Sequence, residues 1–377
     1  MHRILSGLSL SSWILGCVLT VMILTRGSAE AGPFETYGLG GRPIAMGGAV
    51  SAIAEDYTAT HYNPAGLAFA DRAMIGVGFV YGSPNLRLTG DNPDFDYAGE
   101  KPLNGENQDI ADIRAFQVGA TFPLTRKRLK FLKVGVAANV PTGKLIRAVM
   151  VDANKPHFVF FVTHPHRLEI KACLAMEIFS KLSVGAGVEV MIDLNLLVKL
   201  QYFNTNETSF VTDITAPPGF APMAGLKFKP TDSLSLSAVY RGEMQNQMQM
   251  DLKITFGGEQ LVPTVDTRLI SFSKPHEVVL GASYAFKKKL LVGLDVAWMD
   301  YSKAKTHMPT YDFDVPEWVR VALSMINAPP PDFHDIFVPR VGVEYTINEH
   351  VAVRAGYFYK PSPVPDQTGI NNYADAD

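Results

Sequence analysis

Few residues in this chain are spaced for chemistry. His164-Pro165-His166, with His157 shortly before it, could suggest a metal. No carboxylate stands at ligand spacing beside it, and a metal needs three or four converging donors, so no metal site is expected. Nucleophilic hydrolysis would need a serine with a histidine in reach; there is no G-x-S-x-G, and no strand face carries both. Gly38-Leu39-Gly40-Gly41 neither follows a strand pattern nor completes G-x-G-x-x-G, which removes the nucleotide reading. Arg126-Lys127-Arg128, with Lys130 and Lys133, falls in a short turn and reads as a solvated or headgroup-facing run. The first long connection carries Asp91, Asp94, Asp96, Glu100, Glu106 and Asp109, read as soluble rather than as a divalent site. No enzyme, cofactor or metal is therefore expected. What remains are single charges set into alternating apolar stretches: Glu189, Arg241, Asp295, Arg340, Glu344 and Arg354. Both signs occur, so pairing with one another is the ordinary reading. Arg241, Arg340 and Arg354 are also the candidates to hold the carboxylate of an otherwise apolar ligand.

The elements that would carry these charges follow from composition and period. Of 377 residues only 19% are charged, while 47% are hydrophobic and 10% aromatic. A formal net charge of -3 argues against a nucleic-acid partner. Such a balance suits a protein whose surface is not all in water. Residues 1-31 have the form of a secretory signal: Arg3, an apolar run from Ile4 to Leu24, then Ala29-Glu30-Ala31. A transmembrane anchor is the competing reading of that run. Removal of the signal leaves Cys173 as the single cysteine, so no disulfide framework exists within one mature chain.

The rest alternates with period two. Phe116, Val118, Ala120 and Phe122 interleave with Gln117, Gly119 and Thr121; Val278, Leu280, Ala282, Tyr284 and Phe286 do the same with Val279, Gly281, Ser283 and Ala285. Eleven strands are predicted, near 73-82, 112-123, 131-140, 167-179, 183-198, 222-229, 233-256, 276-286, 289-301, 338-346 and 349-360. Their connections alternate long (83-111, 141-166, 199-221, 257-275, 302-337) and short. That asymmetry points to an all-β, up-and-down transmembrane β-barrel with short turns in the periplasm, rather than to a soluble sandwich. In a bilayer every backbone group must be paired internally, so strands must close on themselves. Tyr284, Phe286, Trp298, Tyr345, Tyr357 and Tyr359 would form interfacial girdles. An odd strand number would leave an edge in lipid, and implies that 73-377 is a C-terminally incomplete barrel.

Residues 32-72 precede the first strand and do not alternate. They are rich in glycine and alanine, with a short helix expected within 47-56 and Asn63 capping a turn that starts at Pro64. Irregular backbone survives at membrane depth only inside protein, so this stretch is predicted to be a hatch packed in the barrel, with Gly47, Gly48, Asn63, Pro64, Ala65 and Gly66 at its centre. "GGAVSAIAEDYTATHYNPAGLAFAD", the hairpin 274-305 and the stretch 339-366 together resemble the FadL/TodX family of outer-membrane transporters. The resemblance implies a fourteen-stranded barrel, about eleven strands of which are present here, with an internal hatch in the bacterial outer membrane. It implies passive uptake of long-chain fatty acids or aromatic hydrocarbons by what is expected to be a monomer, among outer-membrane lipid and lipopolysaccharide. Tyr202, Phe203, Phe210, Ile214 and Phe220, with 151-162, would offer ligand an apolar loading surface. A lipase-like barrel and a structural or adhesive barrel are the alternatives; the first lacks its serine–histidine pair here, and the second has no need of forty irregular residues before its first strand.

Overall fold

The computed structural model describes residues 38-83, 112-124, 131-142, 167-192, 196-201, 208-215, 217-256, 259-260, 265-287, 289-303, 310-313 and 332-365. The expected signal segment, the three loop histidines, the acidic connection, Tyr202 and Phe203 lie outside these residues. The described strands, in chain order, are β1 (Met74–Gly82), β2 (Ile113–Pro123), β3 (Leu132–Pro141), β4 (Leu168–Phe179), β5 (Leu182–Ile192), β6 (Leu196–Gln201), β7 (Thr208–Thr215), β8 (Gly219–Phe228), β9 (Leu234–Arg241), β10 (Met244–Phe256), β11 (Glu259–Gln260), β12 (Val265–Lys274), β13 (Glu277–Phe286), β14 (Leu290–Met299), β15 (Thr310–Phe313), β16 (Ile336–Asn348) and β17 (Val351–Phe358).

Eleven of them form one sheet in the order β1-β2-β3-β4-β5-β8-β9-β13-β14-β16-β17, and each neighbouring pair is antiparallel. The sheet is open, with β1 and β17 at its edges. The period-two pattern sets its two faces. Along β8, Ala221, Met223, Gly225 and Lys227 are buried while Phe220, Pro222, Ala224, Leu226 and Phe228 are exposed. Phe79, Phe116, Leu174, Leu280, Leu294 and Val353 stand exposed on the same outer face, a band that hydrocarbon can cover and water cannot. Of the six aromatics expected in the girdles, Tyr284, Phe286, Tyr345 and Tyr359 are exposed, whereas Trp298 and Tyr357 are half-buried.

Three of the expected long loops contain strands. β15, β12, β10, β7 and β6 form a second sheet, with β11 attached to β10, and it repeats the wall order beyond the wall. The strands expected at 183-198 and 233-256 therefore each divide in two, and the connections 199-221, 257-275 and 302-337 are not simple loops. The physical reason lies at Pro222, Gly242 and Pro275. The β8–β9 ladder ends at Met223↔Arg241; next to it Pro222 has no N–H to donate, and its carbonyl accepts from Gly242 N at 2.8 Å. Pro275 stands in the break between β12, which ends at Lys274 in the second sheet, and β13, which begins at Glu277 in the first.

The inner face of the wall carries the hatch. Residues 38-70 form α1 (Gly41–Ala45), α2 (Ala59–Tyr62) and a 3-10 turn (Pro64–Phe69). The helix expected within 47-56 is absent. Gly47 and Gly48 both have positive φ, 61° and 74°, and turn the chain there instead. Wall glycines leave the room the hatch fills. A Cβ on Gly185 would lie 2.4 Å from the Pro64 carbonyl carbon, one on Gly225 2.1 Å from Asn63 Oδ1, one on Gly293 2.2 Å from Ala49 O, and one on Gly119 2.2 Å from the Tyr57 ring. Hatch backbone thus lies directly on wall backbone at Gly185 and Gly293, and the Asn63 and Tyr57 side chains fill the space over Gly225 and Gly119.

Gly185→Leu is expected to unseat the hatch, exposing 38-70 to added protease and admitting large hydrophilic antibiotics to whole cells. Gly78→Ala, whose new methyl would meet only Gln117 Cβ at 3.9 Å, is expected to leave both readouts unchanged.

Candidate functional site

The site begins with Asn63, fully buried. Its Oδ1 accepts from Ala65 N at 3.0 Å, which caps the 3-10 turn, and Pro64 occupies the first position, where a missing N–H does no harm. Its Nδ2 lies 3.0 Å from both the Ser51 and the Leu226 carbonyls, joining hatch to hatch and hatch to β8. Ser183 Oγ donates to Ala65 O at 2.9 Å from β5. Of the six hatch residues singled out from the sequence, Asn63, Pro64 and Ala65 press on the wall at Gly225 and Gly185, Gly47 and Gly48 meet β17 and Arg340, and Gly66 packs within the hatch against Ala54 and Ala59.

Polar wall residues grip the hatch on all sides. Asp295 accepts from Ser51 N at 3.0 Å and Ser51 Oγ at 2.7 Å, and Ser237 Oγ lies 2.8 Å from the same hydroxyl. Gln117 donates to Gly38 O at 2.6 Å and accepts from Gly40 N at 3.1 Å. Glu344 accepts from hatch Arg42 at 2.8 and 2.9 Å and from wall Arg354 at 2.5 Å. Arg241 pairs with Glu277 at 2.6 Å and donates to the His61 and Tyr62 carbonyls at 2.7 and 3.2 Å. Arg241 and Arg354 are thus engaged with the hatch and with wall carboxylates. Arg340 faces Asp295 across the β14–β16 ladder, and its Nε is buried with no hydrogen-bond partner among the described residues.

Sequence reasoning missed a second ionic group. Lys171 lies 2.9 Å from Glu189, 3.1 Å from Glu169 and 3.0 Å from His61 Nδ1; Lys274 lies 2.9 Å from Glu189. A lysine donating to Nδ1 requires a neutral imidazole with its proton on Nε2. Lys171 and Glu169 stand at every second position of β4, in register with Cys173, so the alternation that marked Glu189 also marks them. Lys274 could not be placed, because it belongs to β12, in a stretch read as loop.

Beyond the ionic groups the interior turns apolar. Met191, Ala221, Met244 and Phe272 form one buried cluster, with the Arg167 guanidinium 5.7 Å from the Phe272 ring centre. Val239, Val279, Ala297, Met299, Ile336 and Val338 form another, closed by Tyr301 and Phe333. The structure places Phe220 in β8 on the outer face, 61% exposed, rather than in a loop. Phe210 falls in β7 of the second sheet.

A strand-walled lumen of this kind, apolar outside, apolar above and stoppered below by an ion-paired hatch, has known counterparts. The sequence model of the family described as outer membrane protein transport protein (OMPP1/FadL/TodX) matches residues 21–371. The chain belongs to this family. Its members are transport proteins of the bacterial outer membrane, and that is where this protein resides. It is 23% identical over 369 residues to alkane uptake protein A of Marinobacter nauticus, covering 93% of this chain and 78% of that one. Among solved structures, a FadL homologue from Pseudomonas aeruginosa superposes with a TM-score of 0.54 at 17% identity, over 91% of this chain and 83% of that one. The TodX deltaS2S3 mutant of a monoaromatic hydrocarbon channel gives 0.54 at 17% identity, over 90% and 85%. These likenesses establish the barrel fold.

Two outcomes test the hatch grip. Asp295→Ala strands the Ser51 N–H in a buried setting and is expected to weaken hatch docking by about 1–3 kcal/mol, read as faster hydrogen exchange of residues 49-54 with the wall unchanged. Glu55 gives the pH dependence. Burial opposes its ionisation, but Lys227 and Lys229, at 2.7 and 2.5 Å, outweigh burial and hold the carboxyl below its ordinary range. A lowered carboxyl contributes stability above the unfolded pKa of about 4.3 and loses it as pH falls through the lowered value. Hatch protection, taken relative to the intrinsic exchange rate at each pH, should therefore be constant from neutral pH to the ordinary carboxylate range and fall below it; Glu55→Gln should remove that acid-side loss.

Proposed function

We propose that the protein carries small hydrophobic compounds passively across the outer membrane, and that its substrates include alkanes, aromatic hydrocarbons or long-chain fatty acids. One observation supports this above the rest: the inner wall outward of the hatch is apolar on both sides, at Val239, Val279, Ala297 and Val338 and at Met191, Met244 and Phe272. Water gains nothing from such a lining, whereas an apolar solute leaves water on reaching it. The names of the relatives agree with this substrate class: one is an alkane uptake protein, another a monoaromatic hydrocarbon channel. Loading would begin at the outer aromatics Tyr202, Phe203 and Phe210, with Phe220 at the wall. Transport of this kind runs downhill, driven by binding and dilution.

A carboxylate on the substrate would have partners. Arg167, Lys171 and Lys274 border the apolar cluster beside Glu169 and Glu189, and a ligand carboxylate would have to exchange with the partners they already have. Arg340 is the arginine of the original three that takes no wall carboxylate by hydrogen bond among the described residues; Arg241 and Arg354 would serve a ligand only by leaving Glu277 and Glu344.

Cells lacking their own carriers and expressing the protein are expected to accumulate labelled hexadecane, toluene or oleate faster than empty cells; equal rates for all three would overturn the proposal. Val338→Asp, which puts a charge in the apolar lining, is expected to reduce uptake at least ten-fold with heat-modifiable mobility intact. Arg340→Gln should lower oleate uptake alone.

A further inference from the structure

At the short-turn end of the wall, the periplasmic end of such barrels, a cleft of about 420 Å³ opens beneath the hatch. It is lined by Glu55, Phe69 and Asp71 of the hatch segment and its exit and by Phe131, Lys133, Glu177 and Lys229 of the wall. The wall residues share the inward parity of their strands: Lys133 with Gly135, Glu177 with Ala175, Lys229 with Lys227. The cleft therefore faces the mouth of the lumen and not lipid.

Its charges are mixed and separately committed. Lys229 lies 2.5 Å from Glu55 and 3.8 Å from the Phe69 ring centre. Lys133 donates to the Ala70 carbonyl at 3.0 Å, a neutral acceptor that leaves its charge uncancelled. Asp71 and Glu177 are exposed, with no ion pair or hydrogen bond from a side chain among the described residues. Phe131 presents an open ring. A simple anion entering here would meet Asp71 and Glu177; a simple cation would meet Lys133 and Lys229. Only a molecule carrying both signs gains from both pairs, and the volume lies in the range of small-ligand pockets.

We propose that this cleft binds a zwitterion bearing an ammonium and a phosphate, the chemistry of a glycerophosphoethanolamine headgroup, with the ammonium toward Glu177, Asp71 and the Phe131 face and the phosphate toward Lys133 and Lys229. The site is separate from the apolar lumen and does not rest on which compound is carried. Because Lys229 also holds Glu55, a bound phosphate competes for the lysine that anchors the hatch at this end.

The test is calorimetric titration of the full chain in nanodiscs with glycerophosphoethanolamine, glycerol phosphate and ethanolamine. The zwitterion is expected to bind saturably, and each half alone at least ten-fold more weakly. Glu177→Gln and Lys133→Gln should each weaken binding five-fold or more; both lie at the open mouth, and retained heat-modifiable mobility will confirm folding. Nanodiscs of phosphatidylethanolamine and of phosphatidylglycerol, whose headgroup has no ammonium, separate the sources. Weaker binding of the free zwitterion in the former means that lipid supplies the headgroup; equal binding means that a soluble zwitterion is the ligand. No saturable binding, or equal binding of either half alone, would overturn the proposal.

Discussion

Hydrocarbon offers no hydrogen-bond partner to a peptide group, and the architecture follows from that constraint. Each wall strand must find its partners on the strands beside it, which is why the eleven-stranded sheet is antiparallel throughout and keeps sequence neighbours together wherever the second sheet does not intervene. Alternation then sorts side chains without further instruction: Phe116 and Val118 outward, Gln117 and Gly119 inward. At Pro222 the β8–β9 ladder stops while β8 goes on pairing with β5, and Pro275 stands between β12 of the outer sheet and β13 of the wall.

The same constraint shapes the interior. The hatch is irregular backbone at membrane depth, and each of its polar groups must be met by protein. Asn63 alone makes three such contacts, to Ala65 N and to the Ser51 and Leu226 carbonyls. Asp295, Arg241 and Gln117 meet others from the wall. Close approach is possible because the wall has glycine where the hatch bears on it. Polar grip and glycine seats are complementary: a side chain at Gly225 would occupy the space of the Asn63 amide that bonds to Leu226.

Charge inside this lumen is buried and therefore paired. Lys171, Lys274, Glu169 and Glu189 are all buried and mutually paired, as are Arg241 and Glu277. Taking one partner from such a pair costs about 3–5 kcal/mol, so these groups hold one arrangement. The lumen thus carries an ionic layer against the hatch and an apolar surface outward of it.

The sequence by itself determined the number of wall strands, their outward and inward faces and the existence of the hatch, because each rests on local pattern: period two, a change to glycine and alanine, and the Asn63-Pro64 cap. It also marked Glu189, Arg241, Asp295, Arg340, Glu344 and Arg354 as inward, since parity along a strand needs no knowledge of its neighbours. Only the tertiary structure decided their partners. Arg42 and Glu344 lie some three hundred positions apart, Lys274 reaches Glu189 from a strand that the sequence showed as a loop, and the turn at Gly47-Gly48 replaced an expected helix. Those outcomes depend on which strands are neighbours and where the hatch presses. Contacts between distant segments of the chain fix both, and no local period records them.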